Sequence, residues 1–166
     1  MSLLANVLLG DPIAKNALVD HIGPIIRHAV HSLARPEMRE DLVQEVWVHL
    51  WDRSCRVLQR FSGEGPFLGF VWIVARNQAL DRLPAALRRP TVPLDEAPEL
   101  VDPDDPELNV AMMQLTECIK RAREHLAPAH QEVIHLRHDL GLKHREIAEQ
   151  LNIPIGTVAK SPSVNN

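Results

Sequence analysis

No apolar run in the sequence is long enough to cross a bilayer. The opening Met1-Ser-Leu-Leu-Ala-Asn6 has no basic residue ahead of its short apolar stretch, which is not the pattern of a secretory leader. A cytoplasmic chain with no membrane insertion is therefore expected. Cysteine is scarce. Cys55 and Cys118 stand far apart with no partner at metal-ligand spacing, which excludes a disulfide scaffold and suits a reducing compartment. An excess of positive charge is also missing. The formal net charge of −4 over 166 residues rules out a generic electrostatic grip on nucleic acid, so any such contact must be local. Strand-like alternation is nearly absent, there is no internal repeat, and the fold class expected is all-α. Neither a Ser-His-Asp order, a phosphate loop nor a pair of catalytic carboxylates is present, so no enzyme and no cofactor are expected.

What is there divides the chain. The hydrophobic fraction of 45% is enough for a core. Residues 1–83 hold nine Lys/Arg against nine Asp/Glu, and residues 111–166 hold seven against six, so both parts are close to neutral. Residues 84–110 hold two Arg against seven Asp/Glu and carry the acidic excess. Pro84, Pro90, Pro93, Pro98, Pro103 and Pro106 fall in that same stretch, removing amide donors and fixing φ, so it reads as a solvated linker between two small helical bundles. Within the bundles the apolar spacing predicts helices over 14–33 (with Pro24 a kink), 37–51, 67–83, 107–126, 129–140 and 144–151, and a short one beginning near Pro154. Gly141 stops the penultimate long helix.

His144–Ser163 has the spacing of a helix-turn-helix. Ile147 and Leu151 face inward, Ala148 is small where the helices cross, and Asn152 sits where a left-handed turn is needed. Ile153 and Val158 close the core from the second helix, whose outer face is then free for a major groove. Gly156 and Thr157 lie near its start, where exposed amides favour phosphate. In the first half, Phe61, Phe67, Phe70 and Trp72 cluster on a glycine-rich turn, Phe61-Ser-Gly-Glu-Gly-Pro66, and the helix after it. Unstacked bases are trapped by aromatic faces and polar groups near positive charge. Trp72 and Arg76 are one turn apart, as are Asn77 and Asp81; Arg76 suits a phosphate and Asn77 a base edge. Phe67, Phe70 and Val74 read as core, whereas Trp72 fits either core or base stacking.

Asp41-Leu-Val-Gln-Glu-Val-Trp-Val-His-Leu-Trp51, the Phe61–Phe67 turn and Val74-Ala-Arg-Asn-Gln-Ala-Leu-Asp-Arg-Leu83 resemble region 2 of the extracytoplasmic-function (ECF) sigma factors. Leu126–Arg137 and the helix-turn-helix resemble region 4 of that family. The resemblance implies a transcription initiation factor that binds core RNA polymerase, reads promoter DNA at −10 and −35, and helps melt it. It implies −10 contacts by Phe61, Gly63, Gly65, Trp72, Arg76, Asn77, Asp81 and Arg82, with a flipped base held by the Gly63–Pro66 loop. It implies polymerase contacts by Asp41, Leu42, Gln44, Glu45 and Trp47, and −35 contacts by Arg145, Gly156, Thr157 and Lys160. An anti-sigma factor is a further implied partner, and the acidic linker resembles the segment that threads towards the polymerase cleft.

The sequence departs from the family at several positions. Leu68 and Ile73 stand where basic residues are common, Pro84 ends the −10 helix early, and Lys143 replaces the usual Ser/Thr N-cap. Ser161 and Pro162 follow Lys160 where the family continues with a basic helix, so a shortened −35 reader is expected. That feature favours the alternative of a sigma-fold interaction module bound by an anti-sigma regulator, with impaired DNA binding. A plain helix-turn-helix repressor would need a dimer interface that the sequence does not reveal. His28/His31, with His21 nearby, and His135/His138 have helical spacing, yet no carboxylate or thiolate completes a set, and no metal is expected.

Overall fold

The computed structural model describes residues 3–63, 65–88 and 106–160, and among them every regular element is a helix. After a short α1 (Leu3–Leu8), helix α2 (Pro12–His31) begins where Asp11 caps it. The Asp11 carboxylate accepts from the amides of Ile13 and Ala14, and Pro12 fills a first-turn position whose amide would have had no partner. The helix continues through Pro24 and buries Leu18, Ile22, Ile25, Ile26, Ala29 and Val30, the expected stripe. Helix α3 (Arg39–Cys55) is regular only to Trp51: Asp52 is extended (ψ 146°), and Arg53, Ser54 and Cys55 turn left-handed. The regular part therefore ends where the sequence pattern ends.

Helix α4 (Phe67–Arg82) has apolar residues almost all round, as a helix enclosed on most sides must. Val71, Trp72, Ile73, Val74, Ala75, Ala79 and Leu80 are all buried against α2 and α3. Each large side chain in this core contributes about 1.5–3 kcal/mol by leaving water. The turn entering α4 needs its glycines for conformation rather than space. Gly63 (φ 84°) and Gly65 (φ 76°) lie where side chains are disfavoured, yet an added Cβ at either would meet no atom within 4 Å.

The helix expected over 107–126 is present. Helix α5 (Pro106–Glu124) takes in 106–110, part of the stretch read as linker. Pro106 is its first residue, the one helical position proline favours. Met112 and Ile119 of α5 belong to the larger core with α2–α4, so this helix is shared between the halves instead of lying wholly in the second. Of the expected linker, residues 89–105 lie outside the described residues.

Helix α6 (Pro128–Ile134) runs into a π-helical segment, His135–Asp139, where a single α-helix was expected. The wider turn is closed by Leu140 N–H donating to the His135 carbonyl and Leu142 N–H to that of Leu136, after which Gly141 takes φ 66°. Helices α7 (His144–Leu151) and α8 (Ile155–Lys160) meet over a small second core of Val133, Leu136, Ile147 and Val158. Asn152 between them has φ 52°, ψ 44°, the left-handed turn the motif requires. Lys143 supplies no side-chain cap to α7; instead the Glu146 carboxylate reaches back to the Lys143 amide at 2.6 Å. Ser161 and Pro162 lie outside the described residues.

Candidate nucleic-acid and polymerase interface

The aromatic turn assembles as its spacing suggested. The Phe61 ring stands edge-on to Phe67 (centroids 5.2 Å apart) and tilted to Phe70 (5.4 Å), while Phe67 and Phe70 pack on the larger core. Phe61 stays partly exposed beside the exposed Gly63 and Gly65. Behind the turn, between α3 and α4, opens a cleft of about 170 Å³ whose walls include Arg60, Phe70, Asn77, Gln78 and Asp81. An aromatic face, an amide pair and a guanidinium in one recess can stack on and hydrogen-bond a planar polar group. His49 also borders it, and its pKa is lowered by burial and by Arg60, so the imidazole is neutral near pH 7.

Two of the expected −10 residues are not on an open face. Trp72 is 3% exposed and belongs to the core, which decides between the two readings of it in favour of packing. Arg76 is 2% exposed, with its guanidinium 5.5 Å from the Trp72 ring centroid. The polar ridge predicted for Arg76 is covered by the C-terminal half: an Arg76 Nη donates to the His138 carbonyl. One turn on, the Arg137 guanidinium donates to the Asp81 carboxylate at 2.9 Å, and Lys143 Nζ to the Asp81 backbone carbonyl at 2.8 Å. Asn77 is half-buried, its Oδ1 without a partner among the described residues and its carbonyl accepting weakly from Arg137. Arg82 is exposed and pairs with Glu45 of α3 at 3.0 Å.

Sequence reasoning did not single out Arg88, Arg137 or Glu146, and weighed His138 only as a metal ligand; all four join the halves. Arg88 donates to the Gly141 carbonyl (2.7 Å) and to the Glu146 carboxylate (2.9 Å). Burial raises the Glu146 pKa, but the bonds from Arg88 and the Lys143 amide outweigh it, leaving the net shift downward. The one sequence signal was Arg137, which falls one turn after Val133 on the apolar side of its helix, where an arginine needs a buried acceptor.

On α3, Asp41, Gln44 and Glu45 are exposed, while Trp47 is half-buried and stacked on Trp51 with rings 7° from parallel. Leu42, expected at the same surface, is 3% exposed and packs in the core, because the inward stripe of α3 runs through it with Val46 and Leu50. At the far end Arg145, Gly156, Thr157 and Lys160 are all exposed, Arg145 pairing with Glu149 at 3.0 Å. Lys160 is the lone basic residue of α8. Among the described residues no cluster of three or more His, Cys, Asp or Glu side chains could hold a metal ion, and no helix is long and apolar enough to cross a membrane.

Comparison with known proteins gives two matches in chain order. Residues 17–89 match the model for Sigma-70 region 2, and residues 116–161 that for Sigma-70, region 4. The ECF RNA polymerase sigma-E factor of Haemophilus influenzae is 27% identical over 166 residues, spanning 95% of this chain and 86% of that protein. The Escherichia coli K12 protein of the same description is 29% identical over 165 residues, spanning 94% and 84%. A solved structure described as "Structure of CnrH in complex with the cytosolic domain of CnrY" aligns at 23% identity with a TM-score of 0.41, covering 95% of this chain and 85% of that one.

Proposed function

We propose, for a chain that belongs to the sigma-70 family as an ECF-type sigma factor with regions 2 and 4, a specific division of labour in promoter recognition. Sigma factors are transcription initiation factors rather than catalysts in themselves. In this reading residues 1–83 and 111–166 are the two working modules and 84–110 connects them. Asp41, Gln44 and Glu45, beside Trp47, dock on core RNA polymerase in the cytoplasm. Phe61, Gly63 and Gly65 receive an unstacked base of the −10 element, and Asn77, Asp81 and Arg82, with Arg76 once uncovered, follow the strand and help melt the duplex. Arg145, Gly156, Thr157 and Lys160 meet the −35 duplex.

The observation that carries the reading is the helix-turn-helix. A left-handed Asn152 joins α7 to α8 within the region 4 match and leaves all four of those residues exposed. An exposed helix N-terminus with a nearby Arg and Lys suits phosphate. A second reading is a sigma-fold interaction module held by an anti-sigma factor, with weakened DNA binding. It is favoured by the burial of Arg76 and the single basic residue of α8.

The test is equilibrium binding to purified core polymerase. Alanine at Asp41 or Gln44, both exposed, is expected to weaken binding by more than about 1 kcal/mol each if they are anchors, with no change in folding. Binding that is absent in wild type, or indifferent to both substitutions, would overturn the polymerase assignment.

A further inference from the structure

We propose that the connection between α3 and α4, residues 52–61, grips the phosphates of the strand whose unstacked base enters the neighbouring cleft, through Arg53, Arg56 and Arg60. The inference rests on the −10 reading of the Phe61 turn given above and adds three residues to it. A base held against an aromatic turn brings its phosphates with it, and those need cations close by. Helix α4 supplies few. Its two basic residues are Arg76, enclosed at 2% exposure, and Arg82, paired with Glu45 at 3.0 Å.

The connection supplies more. It holds three arginines against one acid, Asp52, in a chain whose net charge is −4, and all three arginines are exposed. Arg53 leans on Asp52 at 3.6 Å, a solvated pair that a phosphate readily replaces. Among the described residues the guanidiniums of Arg56 and Arg60 have no ion-pair partner. Arg60 is itself a wall of the cleft, beside Phe70 and Asn77. Its charge is felt inside: after burial, Arg60 is the largest cause holding the pKa of His49, on the same cleft, below its ordinary value.

The arginines are also held outward. Cys55 and Leu58, buried in the larger core, alternate with them along the chain and anchor the connection. Arg53, Ser54 and Cys55 all take left-handed backbone, which residues other than glycine avoid in succession. Gln59 Nε2 braces that turn by donating to the Ser54 carbonyl at 2.9 Å. A disfavoured backbone kept in place by its neighbours presents its cations at fixed positions, so less entropy is lost when a strand binds. Continuity with the cleft, where Phe61 and Phe70 offer faces to a base, favours a nucleic acid over an acidic peptide.

The experiment titrates the full chain into a labelled pool of degenerate single-stranded DNA across a salt series, read by fluorescence anisotropy. Each of Arg53→Gln, Arg56→Gln and Arg60→Gln should make the slope of log K against log salt shallower by about 0.7, and the triple variant by about 2. Arg56→Lys and Arg60→Lys keep the charge and should keep the slope, which separates a lost phosphate contact from a folding defect. Phe61→Ala should weaken binding with the slope unchanged, because it removes a base contact and no cation. Slopes unchanged in the glutamine variants, or lost equally in the lysine variants, would overturn the proposal and leave the −10 reading standing. Dependence on the arginines with none on Phe61 would support the phosphate contacts and remove the base-holding role of the turn. Wild type that binds no DNA at low salt would overturn the proposal, and poly-glutamate bound in its place would assign the surface to an acidic peptide.

Discussion

Arg137 and Asp81 are 56 positions apart in the sequence and 2.9 Å apart in the structure, the guanidinium 5% exposed and the carboxylate 55%. Because one partner is enclosed and the other faces water, removing each has a different effect. Arg137→Ala also loses the bond to the Leu142 carbonyl and is expected to destabilise the chain by about 1–3 kcal/mol. Asp81→Asn keeps an oxygen acceptor for the enclosed guanidinium and should cost less, about 1 kcal/mol. Denaturant unfolding of both variants checks the asymmetry, and equal shifts would contradict it.

Asn77 and Arg76 should also separate. Asn77→Ala removes a side chain whose Oδ1 has no partner among the described residues, so stability should change little while open-complex formation loses about 1–3 kcal/mol per base contact. Arg76→Ala removes a buried group bonded to His138 and should lower both stability and promoter opening. Melting curves beside a footprint of the opened promoter distinguish the two. An Asn77→Ala variant with full opening activity would remove it from the −10 set.

Acid should loosen the contact between the halves. Burial first, then the neighbouring Arg76, Arg137 and Arg123 charges, lower the His138 pKa to about 3 against the opposing pull of Asp139. A folded-state pKa below the ordinary 6.5 means that the unfolded chain takes up a proton where the folded chain does not. The stability tied to this group is therefore complete above about pH 6.5 and falls as pH drops from there towards 3, by at most about 1.4 kcal/mol per unit. Glu146, with its lowered pKa, adds a loss in the same direction only below the ordinary carboxylate range. Unfolding free energies measured from about pH 7 down to about pH 5 should show the slope, and His138→Asn should flatten it. An unchanged slope in that variant would assign the effect elsewhere.

Much of the fold was legible because it is local. The stop of α3 at Trp51, the glycines before α4 and the left-handed Asn152 all follow from residue type and helical spacing. The start of α5 is legible to within one residue, 107 against Pro106, because the apolar spacing begins there and the first position of a helix accepts proline. The site was less legible. Trp72 and Arg76 sit on the ridge that spacing assigns to them, but a segment more than sixty residues away covers Arg76, and no periodicity within α4 reports that. The π-helical turn, which brings His138 and Arg137 to α4, has no sequence signature of its own.

The −35 contacts should be weakly salt-dependent. Arg145 and Lys160 are the two cations among the assigned residues, so log K against log salt should fall with a slope of roughly −2. Titration of duplex DNA across a salt series measures it. A slope of about −4 or steeper would show that further cations carry the domain.

Sigma activity itself is tested most directly by run-off transcription with purified core RNA polymerase on a promoter library. Full-length transcripts should appear only when this chain is added, and fall sharply with Asn77→Ala. Transcripts that are absent with wild type, or that do not depend on the chain, would contradict the account.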